Sequence, residues 1–257
     1  MNYTKLSTLV LIFVFVMPFS QEANAQGHTN QNKFRQLYDE LATPNVYRTA
    51  SGAPGPAYYQ QQADYDMDIT IDDENQILYG DQVITYTNNS PETLTYLWVQ
   101  MDQNVRSRDG QSYNRLNNGS SYYGTQRSVA PGFINEYLLE EKFDGGFKID
   151  VLTDANGAKL PYTIHQTMMR IDLPIGLTSG TSTSFRIKWH YNIPNRQFWD
   201  ARSGYEYFIK DDNYAYFIAQ YFPRMAVYND VEGWQNQQFW GNGEFALPFG
   251  DYDVKIT

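Results

Sequence analysis

Residues 214–257 read YAYFIAQYFPRMAVYNDVEGWQNQQFWGNGEFALPFGDYDVKIT, and this stretch decides the fold. Aromatic side chains recur through it and are separated by glycine, proline, asparagine and aspartate, which favour turns. The last residues, Tyr252 to Thr257, alternate between apolar and polar side chains and therefore predict a β-strand. The rings that we expect to pack around these turns include Tyr214, Tyr216, Phe217, Tyr221, Phe222, Trp234, Phe239, Trp240, Phe245, Phe249 and Tyr252.

The composition of the chain favours a β-rich protein. It has 257 residues, no cysteine, 22 tyrosines and an aromatic content of 16%, and aromatic rings suit the half-buried surface of a pleated sheet. A chain of this length can bury a substantial core without disulfides. Its net charge of −10 argues against nucleic acid or an anionic membrane surface as the partner.

Residues 1–25 are typical of a secretory signal peptide. Lys5 precedes an apolar run from Leu6 to Phe19, and the sequence Ala-Asn-Ala at residues 23–25 supplies small residues where a signal peptidase cleaves. A membrane anchor is the alternative, but the run is shorter than the ~20 residues that a spanning helix needs. We therefore predict cleavage after Ala25 and a secreted or periplasmic product.

Residues 26–57 predict a short helix followed by a linker. Within residues 32–41 the apolar side chains recur at helical spacing, at Phe34, Leu37, Tyr38 and Leu41. Residues 51–56 read SGAPGP, a sequence that forms neither a helix nor a central strand. The ordered β domain is therefore predicted to cover residues 58–257.

Alternating apolar and polar residues predict a series of β-strands from residue 66 onward. Residues 72–75 read DDEN and predict a turn after the first strand, and Gly80 in the second strand indicates a β-bulge. Residues 93–101 are apolar on both faces, which is typical of a strand inside a sheet. Residues 102–132 lack periodicity and predict a long loop.

A second series of strands follows in the middle of the chain. Residues 154–157 read DANG, which is a hairpin signal. Inward-facing side chains are predicted at Met169, Ile171, Leu173, Phe185, Ile187, Trp189 and Tyr191. Strands that recur at short intervals without long helices between them indicate an all-β fold, and we predict an antiparallel, saddle-like β-sandwich.

The sequence carries none of the common catalytic motifs. It has no H-E-x-x-H zinc motif, no G-x-S-x-G elbow, no Walker loop and no G-x-G-x-x-G. Of the three histidines, His28 lies near the N terminus, while His165 and His190 fall on the polar faces of predicted strands. A zinc site built from His165, His190 and a carboxylate is an alternative to two solvated histidines, which is the simpler interpretation. We therefore predict no catalytic, cofactor-binding or metal-binding residue in this chain.

Two further interpretations stay open from the residues alone. A glycosidase needs two carboxylates ~5–10 Å apart, and acidic pairs are plentiful, although solvated acids are the simpler interpretation. Aromatic rings in loops can also stack on sugars, although rings that close the ends of the core are simpler. The acidic pairs are Asp66 with Asp68, Asp211 with Asp212 and Asp251 with Asp253, and the loop tryptophans are Trp199, Trp234 and Trp240.

The terminal stretch contains the most specific sequence in the chain. Residues 219–228 read AQYFPRMAVY and residues 229–234 read NDVEGW. Together they resemble bacterial members of the aminopeptidase N-like zinc metallopeptidases, which are gluzincins of peptidase family M-one. Upstream, YDMDI at residues 65–69 and LWVQM at residues 97–101 fit the opening strands of the N-terminal domain of that family. The resemblance covers residues 58–257.

The resemblance implies that the chain is the non-catalytic N-terminal β domain of such a peptidase. In the family this domain is a saddle of antiparallel strands that packs on a thermolysin-like catalytic domain of the same polypeptide and helps to wall the peptide-binding cleft. Zinc and the H-E-x-x-H motif belong to that catalytic domain, which this chain does not contain. The strand that ends at Thr257 then suggests a chain cut at a domain boundary.

The same resemblance implies a role at the domain interface for six residues, Gln220, Tyr221, Pro223, Arg224, Asp230 and Trp234. Many family members carry a glutamine upstream of this proline that contacts the amino terminus of the substrate. Tyr214 occupies that position here, so the resemblance does not imply this contact. The alternative function is a stand-alone secreted β-sandwich that binds a glycan or a protein.

Overall fold

The structure is a computed structural model that describes residues 44–107, 143–196, 203–239 and 246–257. These residues form mostly β-strands, which confirms the all-β prediction, together with a 3₁₀ helix at Asp102–Arg106. The strands are β1 (Gln62–Asp72), β2 (Ile77–Asn88), β3 (Leu94–Gln100), β4 (Lys148–Asp154), β5 (Tyr162–His165), β6 (Met168–Leu177), β7 (Thr181–Asn192), β8 (Ser203–Phe208), β9 (Asn213–Ile218), β10 (Arg224–Met225), β11 (Tyr228–Asn229), β12 (Gly233–Trp234) and β13 (Tyr252–Ile256).

Several sequence-based predictions fall outside the described residues. They include the signal peptide, the short helix over residues 32–41, His28 and the part of the long loop from residue 108 to residue 132. The boundaries of the three segments, 1–25, 26–57 and 58–257, stay predictions. In the part of the chain that the structure describes, no helix has the length and apolar character needed to cross a bilayer.

The larger sheet has five strands in the order β13-β1-β2-β7-β4. Three long antiparallel strands form its centre because β1, β2 and β7 alternate apolar and polar residues over their whole lengths. The turn between β1 and β2 is held by Asp72, whose carboxylate accepts hydrogen bonds from the backbone of Glu74 and Asn75. At one edge β13 pairs with β1 in the parallel direction, an exception to the predicted antiparallel arrangement.

The second sheet has four strands in the order β10-β3-β6-β5. The interior position predicted for residues 93–101 is confirmed, because β3 lies between β10 and β6. Leu97 and Val99 of β3 are fully buried, whereas Tyr96 and Trp98 on its other face are half-buried. Two further hairpins, β8-β9 and β11-β12, each form a two-stranded sheet.

One hydrophobic core joins the two larger sheets. Most of its members come from β1, β2 and β7 of the first sheet and from β3 and β6 of the second, and Leu152 of β4 and Met225 of β10 join them. The predicted inward row on β7 is confirmed, since each of its side chains is at most 1% exposed, at Phe185, Ile187, Trp189 and Tyr191. The core is thus built from strands in which every second side chain is buried. The saddle-like sandwich shape stays a prediction.

Gly80 does not mark a β-bulge, so that prediction was wrong. The pairing of β2 with both β1 and β7 runs through Gly80 without a shift of register. Instead, the indole of Trp189 lies against the bare backbone, and a Cβ at position 80 would lie 2.1 Å from its Cζ2 atom. The glycine is therefore required by the packing of a buried ring rather than by a change in strand pairing.

We expect the Gly80→Ala substitution to destabilise the fold, because the added methyl group overlaps a buried indole that has no room to move. Overpacking of this kind costs ~1–3 kcal/mol in free energy of unfolding, which urea denaturation would measure. Val83→Ala on the same strand is the control, since Val83 is 38% exposed. An unchanged urea midpoint for Gly80→Ala would contradict the packing argument.

Candidate functional site

The segment from Gln220 to Pro223 crosses the end of the core between β9 and β10. Gln220 has a positive φ of 49°, which turns the chain as it leaves β9. Tyr221 and Phe222 then pack ring against ring with centroids 4.8 Å apart, and burial raises the pKa of the Tyr221 phenol. The carbonyl of Pro223 accepts a hydrogen bond of 2.9 Å from the buried side chain of Gln82. These motif residues therefore close the core.

Arg224 of the motif forms a buried ion pair with Asp102. Its Nη2 atom contacts the Asp102 carboxylate and lies 3.2 Å from Oε1 of Gln100. The Arg224 side chain is 12% exposed and that of Asp102 is 2% exposed. Burial raises the pKa of the Asp102 carboxyl, and the positive charge of Arg224 opposes that shift. The pair fastens β10 to the start of the 3₁₀ helix.

Asp230 of the motif pairs with Arg48, which precedes the first strand. The Nε atom of Arg48 lies 2.9 and 2.8 Å from the two carboxylate oxygens, and the Asp230 side chain is only 4% exposed. The segment before β1 forms its own turn, closed by a bridge between Arg48 and Pro54. The ion pair therefore ties this segment to the β11-β12 hairpin.

Trp234 packs into the body of the domain rather than standing free for a ligand. Its indole is half-buried and stacks on Tyr86 at a centroid distance of 5.9 Å, with Tyr228 edge-on at 5.2 Å. This contact favours the interpretation in which the ring closes the core. The other two loop tryptophans, Trp199 and Trp240, lie outside the described residues.

The apolar side chains of β13 form an exposed row, which we call the β13 strip and define as Tyr252, Val254 and Ile256. In the parallel register these residues pair with Tyr65, Met67 and Ile69 of β1, which face the core. Paired residues on neighbouring strands project to the same face of a sheet. The core-facing row of the sheet thus continues onto its edge strand, and there it becomes exposed.

The exposure of the β13 strip contrasts sharply with that of its partners. Tyr252, Val254 and Ile256 are 46%, 38% and 61% exposed. Their partners on β1 are between 1% and 4% exposed, at Tyr65, Met67 and Ile69. The opposite face of β13 is polar and carries Asp253 and Lys255. The strip is therefore an apolar surface on a fixed edge strand.

The fold pairs His190 with a carboxylate but does not add His165 to that pair. His165 lies on β5 of the four-stranded sheet, whereas His190 lies on β7 of the five-stranded sheet, 2.8 Å from a carboxylate oxygen of Asp150. Asp66 and Asp68 are exposed on the outer face of β1. Within the described ranges, no group of three or more His, Asp or Glu side chains could hold a metal ion. Zinc therefore has no fitting ligand set in this part of the chain.

Sequence reasoning missed the partners that hold the motif in place. Arg48, Asp102 and Gln82 lie far from the motif along the chain, by as much as 182 residues in the case of Arg48 and Asp230. A buried carboxylate and a solvated one look the same in a single sequence. The polar residue Asp102, directly after a strand that is apolar on both faces, was the only local signal.

No family model matches the chain, and no curated protein matches it. Among solved structures, the M1 zinc metallopeptidase from Deinococcus radiodurans is 12% identical over 55% of this chain and 22% of that chain, with a TM-score of 0.32. A point mutant of that enzyme is 13% identical over 79% of this chain and 34% of that chain, with a TM-score of 0.36.

A further solved structure is a mutant two-domain M1 zinc metallopeptidase bound to L-arginine. It is 12% identical over 79% of this chain and 34% of that chain, with a TM-score of 0.36. This chain thus spans between 22% and 34% of the length of these three structures. A likeness at this identity and TM-score does not bear on activity.

We expect Arg224→Met to destabilise the domain strongly, because it leaves the Asp102 carboxylate buried without its partner. Breaking a buried pair from one side typically costs ~3–5 kcal/mol, measured as the free energy of unfolding in urea. The double variant Arg224→Met with Asp102→Asn should recover part of that loss, because no unpaired charge remains.

The exposed pair of Lys255 and Asp68 supplies the control, since its charged atoms are 3.8 Å apart and both side chains are more than two-thirds exposed. Lys255→Met should leave the unfolding midpoint nearly unchanged. Equal losses for Arg224→Met and Lys255→Met would show that burial of the Arg224 pair has no energetic consequence.

Proposed function

We propose that this chain is the non-catalytic N-terminal β domain of a secreted zinc metallopeptidase. In this role it packs against a catalytic domain of the same polypeptide and forms one wall of the cleft that takes the peptide substrate. Peptide hydrolysis, and the zinc ion that supports it, belong to the full-length parent. The proposal is supported by the resemblance of residues 219–234 to the aminopeptidase N-like family and by the surface of β13.

The β13 strip is the observation that carries this proposal. Apolar side chains that continue a core-facing row and yet remain exposed are typical of a surface that another domain covers. Edge strands of soluble proteins are usually protected by charges, prolines or short length. β13 carries such charges at Asp253 and Lys255 on one face, but its other face presents the apolar row of the β13 strip on the side that faces the core. A neighbouring domain of the same polypeptide is the occupant that fits this surface.

The two buried ion pairs fit a supporting role for the domain. Arg224 with Asp102 and Arg48 with Asp230 each join segments that are distant in sequence, and both act on the motif that precedes β13. The pairs limit movement of this motif. The β13 strip, which follows the motif along the chain, therefore keeps a fixed shape. A wall that positions another domain needs such rigidity, because docking then costs little conformational entropy.

The alternative is a stand-alone secreted β-sandwich that binds a glycan or a protein, since the β13 strip would also suit a separate protein partner. The coding sequence beyond codon 257 discriminates between the two. A continuing reading frame that encodes H-E-x-x-H supports the peptidase domain. A stop codon directly after Thr257 overturns it in favour of the alternative.

We expect the purified chain to bind no stoichiometric zinc and to hydrolyse no aminoacyl p-nitroanilide, because its motif residues are engaged in packing and buried ion pairs. Zinc would be measured by atomic emission after dialysis against zinc sulfate, and hydrolysis by absorbance. One zinc ion per chain, or turnover that survives further purification, would contradict the assignment of a non-catalytic role.

We expect the double variant Val254→Ser with Ile256→Ser to bind less of a hydrophobic dye than the parent chain, because it removes the two aliphatic members of the β13 strip. Its free energy of unfolding should stay within ~1 kcal/mol of the parent, since both side chains are partly exposed. Dye fluorescence and urea denaturation measure the two quantities. Asp253→Ser with Lys255→Ser on the opposite face is the matched control. Equal dye binding by the two double variants would show that the β13 strip is not the surface that binds the dye.

A further inference from the structure

A cleft of about 320 Å³ lies between the segment before β1, the β11-β12 hairpin and the turn before β13. We call it the tyrosine cleft, and the lining residues that matter are Arg48, Tyr58, Tyr228, Asn229, Gln235 and Phe249. Its volume is at the small end of the ~300–1,000 Å³ typical of small-molecule sites. It is separate from the β13 strip, and its lining combines aromatic rings with amide and hydroxyl groups.

Phe249 presents an exposed ring on a rigid backbone. Its side chain is 73% exposed, yet its carbonyl accepts a hydrogen bond of 2.9 Å from Ala63 on β1. The next residue must be glycine, because a Cβ at Gly250 would lie 1.7 Å from the carbonyl oxygen of Ala63. These contacts fix the backbone that carries the ring, so a ligand that stacks on Phe249 does not have to order the main chain there.

Unpaired hydrogen-bond donors line the other side of the cleft. The Oδ1 atom of Asn229 accepts hydrogen bonds from the backbone of Val231 and Glu232, which fixes the amide and leaves its Nδ2 without a partner among the described residues. The side-chain amide of Gln235 also has no partner there. Tyr58 accepts a hydrogen bond of 3.1 Å from Gln60, so its own hydroxyl proton remains available.

The cleft has little net charge. The guanidinium of Arg48 is balanced by Asp230 at 2.8 Å and lies over the ring of Tyr58 at 5.1 Å. Burial raises the pKa of Tyr59, which also lines the cleft, so its hydroxyl stays neutral. The chain as a whole carries −10, which disfavours anions. A neutral ligand fits these electrostatics better than an anionic one.

We propose that the tyrosine cleft binds a neutral sugar unit. The flat C–H face of a pyranose ring stacks on aromatic rings such as Phe249, and its hydroxyl groups match the neutral amide and phenol donors on the facing side. The site does not rest on the peptidase assignment, because its residues belong to neither the β13 strip nor a catalytic domain.

The test is a titration of the purified chain with five neutral oligosaccharides, namely maltotriose, cellotriose, xylotriose, mannotriose and the trimer of N-acetylglucosamine. Tryptophan fluorescence and saturation-transfer NMR report binding. We expect at least one of them to bind, and we expect Phe249→Ala to weaken it by about fivefold or more, because truncating a central contact ring typically costs more than 1 kcal/mol. Gln235→Leu, which keeps the volume and removes the amide, should also weaken it.

Phe217→Ala is the matched control, because Phe217 is 50% exposed on β9 and does not line the cleft. The Val254→Ser and Ile256→Ser double variant should bind the sugar as the parent does, which separates this test from that of domain docking. The proposal is overturned if none of the five sugars binds. It is also overturned if Phe249→Ala binds like the parent while folded, or if the dipeptide Ala-Ala binds and the sugars do not.

Discussion

Tyr65 holds the terminal segment onto the five-stranded sheet. Its ring stacks on Tyr252 of β13 at 4.8 Å and meets Phe222 edge-on at 5.5 Å, while its hydroxyl accepts a hydrogen bond of 2.9 Å from the backbone of Met225. One buried side chain thus contacts the edge strand, the motif and the second sheet. Burial raises the pKa of its phenol, so the hydroxyl stays protonated at physiological pH. The position of the β13 strip depends on this arrangement.

The two buried ion pairs also hold the terminal motif in place. Arg224 is held by Asp102, and Asp230 is held by Arg48, so that charges from distant segments meet inside the protein. Buried pairs add less net stability than apolar packing does, because both ions lose their hydration. Their geometry is demanding, however, and a misplaced segment would leave a bare charge. We therefore interpret them as elements that specify how the terminal motif crosses the core.

The sequence predicted what depends on local periodicity and turn chemistry. The alternation along β1, β7 and β13 identified strands, and along β1 and β7 it also identified the buried face, while Asp72 marked the first turn. It could not predict that β13 pairs with β1 in parallel, because alternation defines a face and not a neighbour. For the same reason the motif of residues 219–234 was visible while its partners were not. The role of Gly80 was predicted wrongly, because a glycine that packing requires and a glycine at a β-bulge look the same in a single sequence.

The turn before β13 connects the two surfaces that we assign to binding. Gly250 lets the chain approach β1 closely, and this fixes Phe249 at the tyrosine cleft and Tyr252 in the β13 strip only three residues apart. The two surfaces differ in chemistry, since the cleft offers amides and hydroxyls beside its rings whereas the strip is apolar. Because each surface depends on different side chains, substitutions can remove one and leave the other intact, even though one turn positions both.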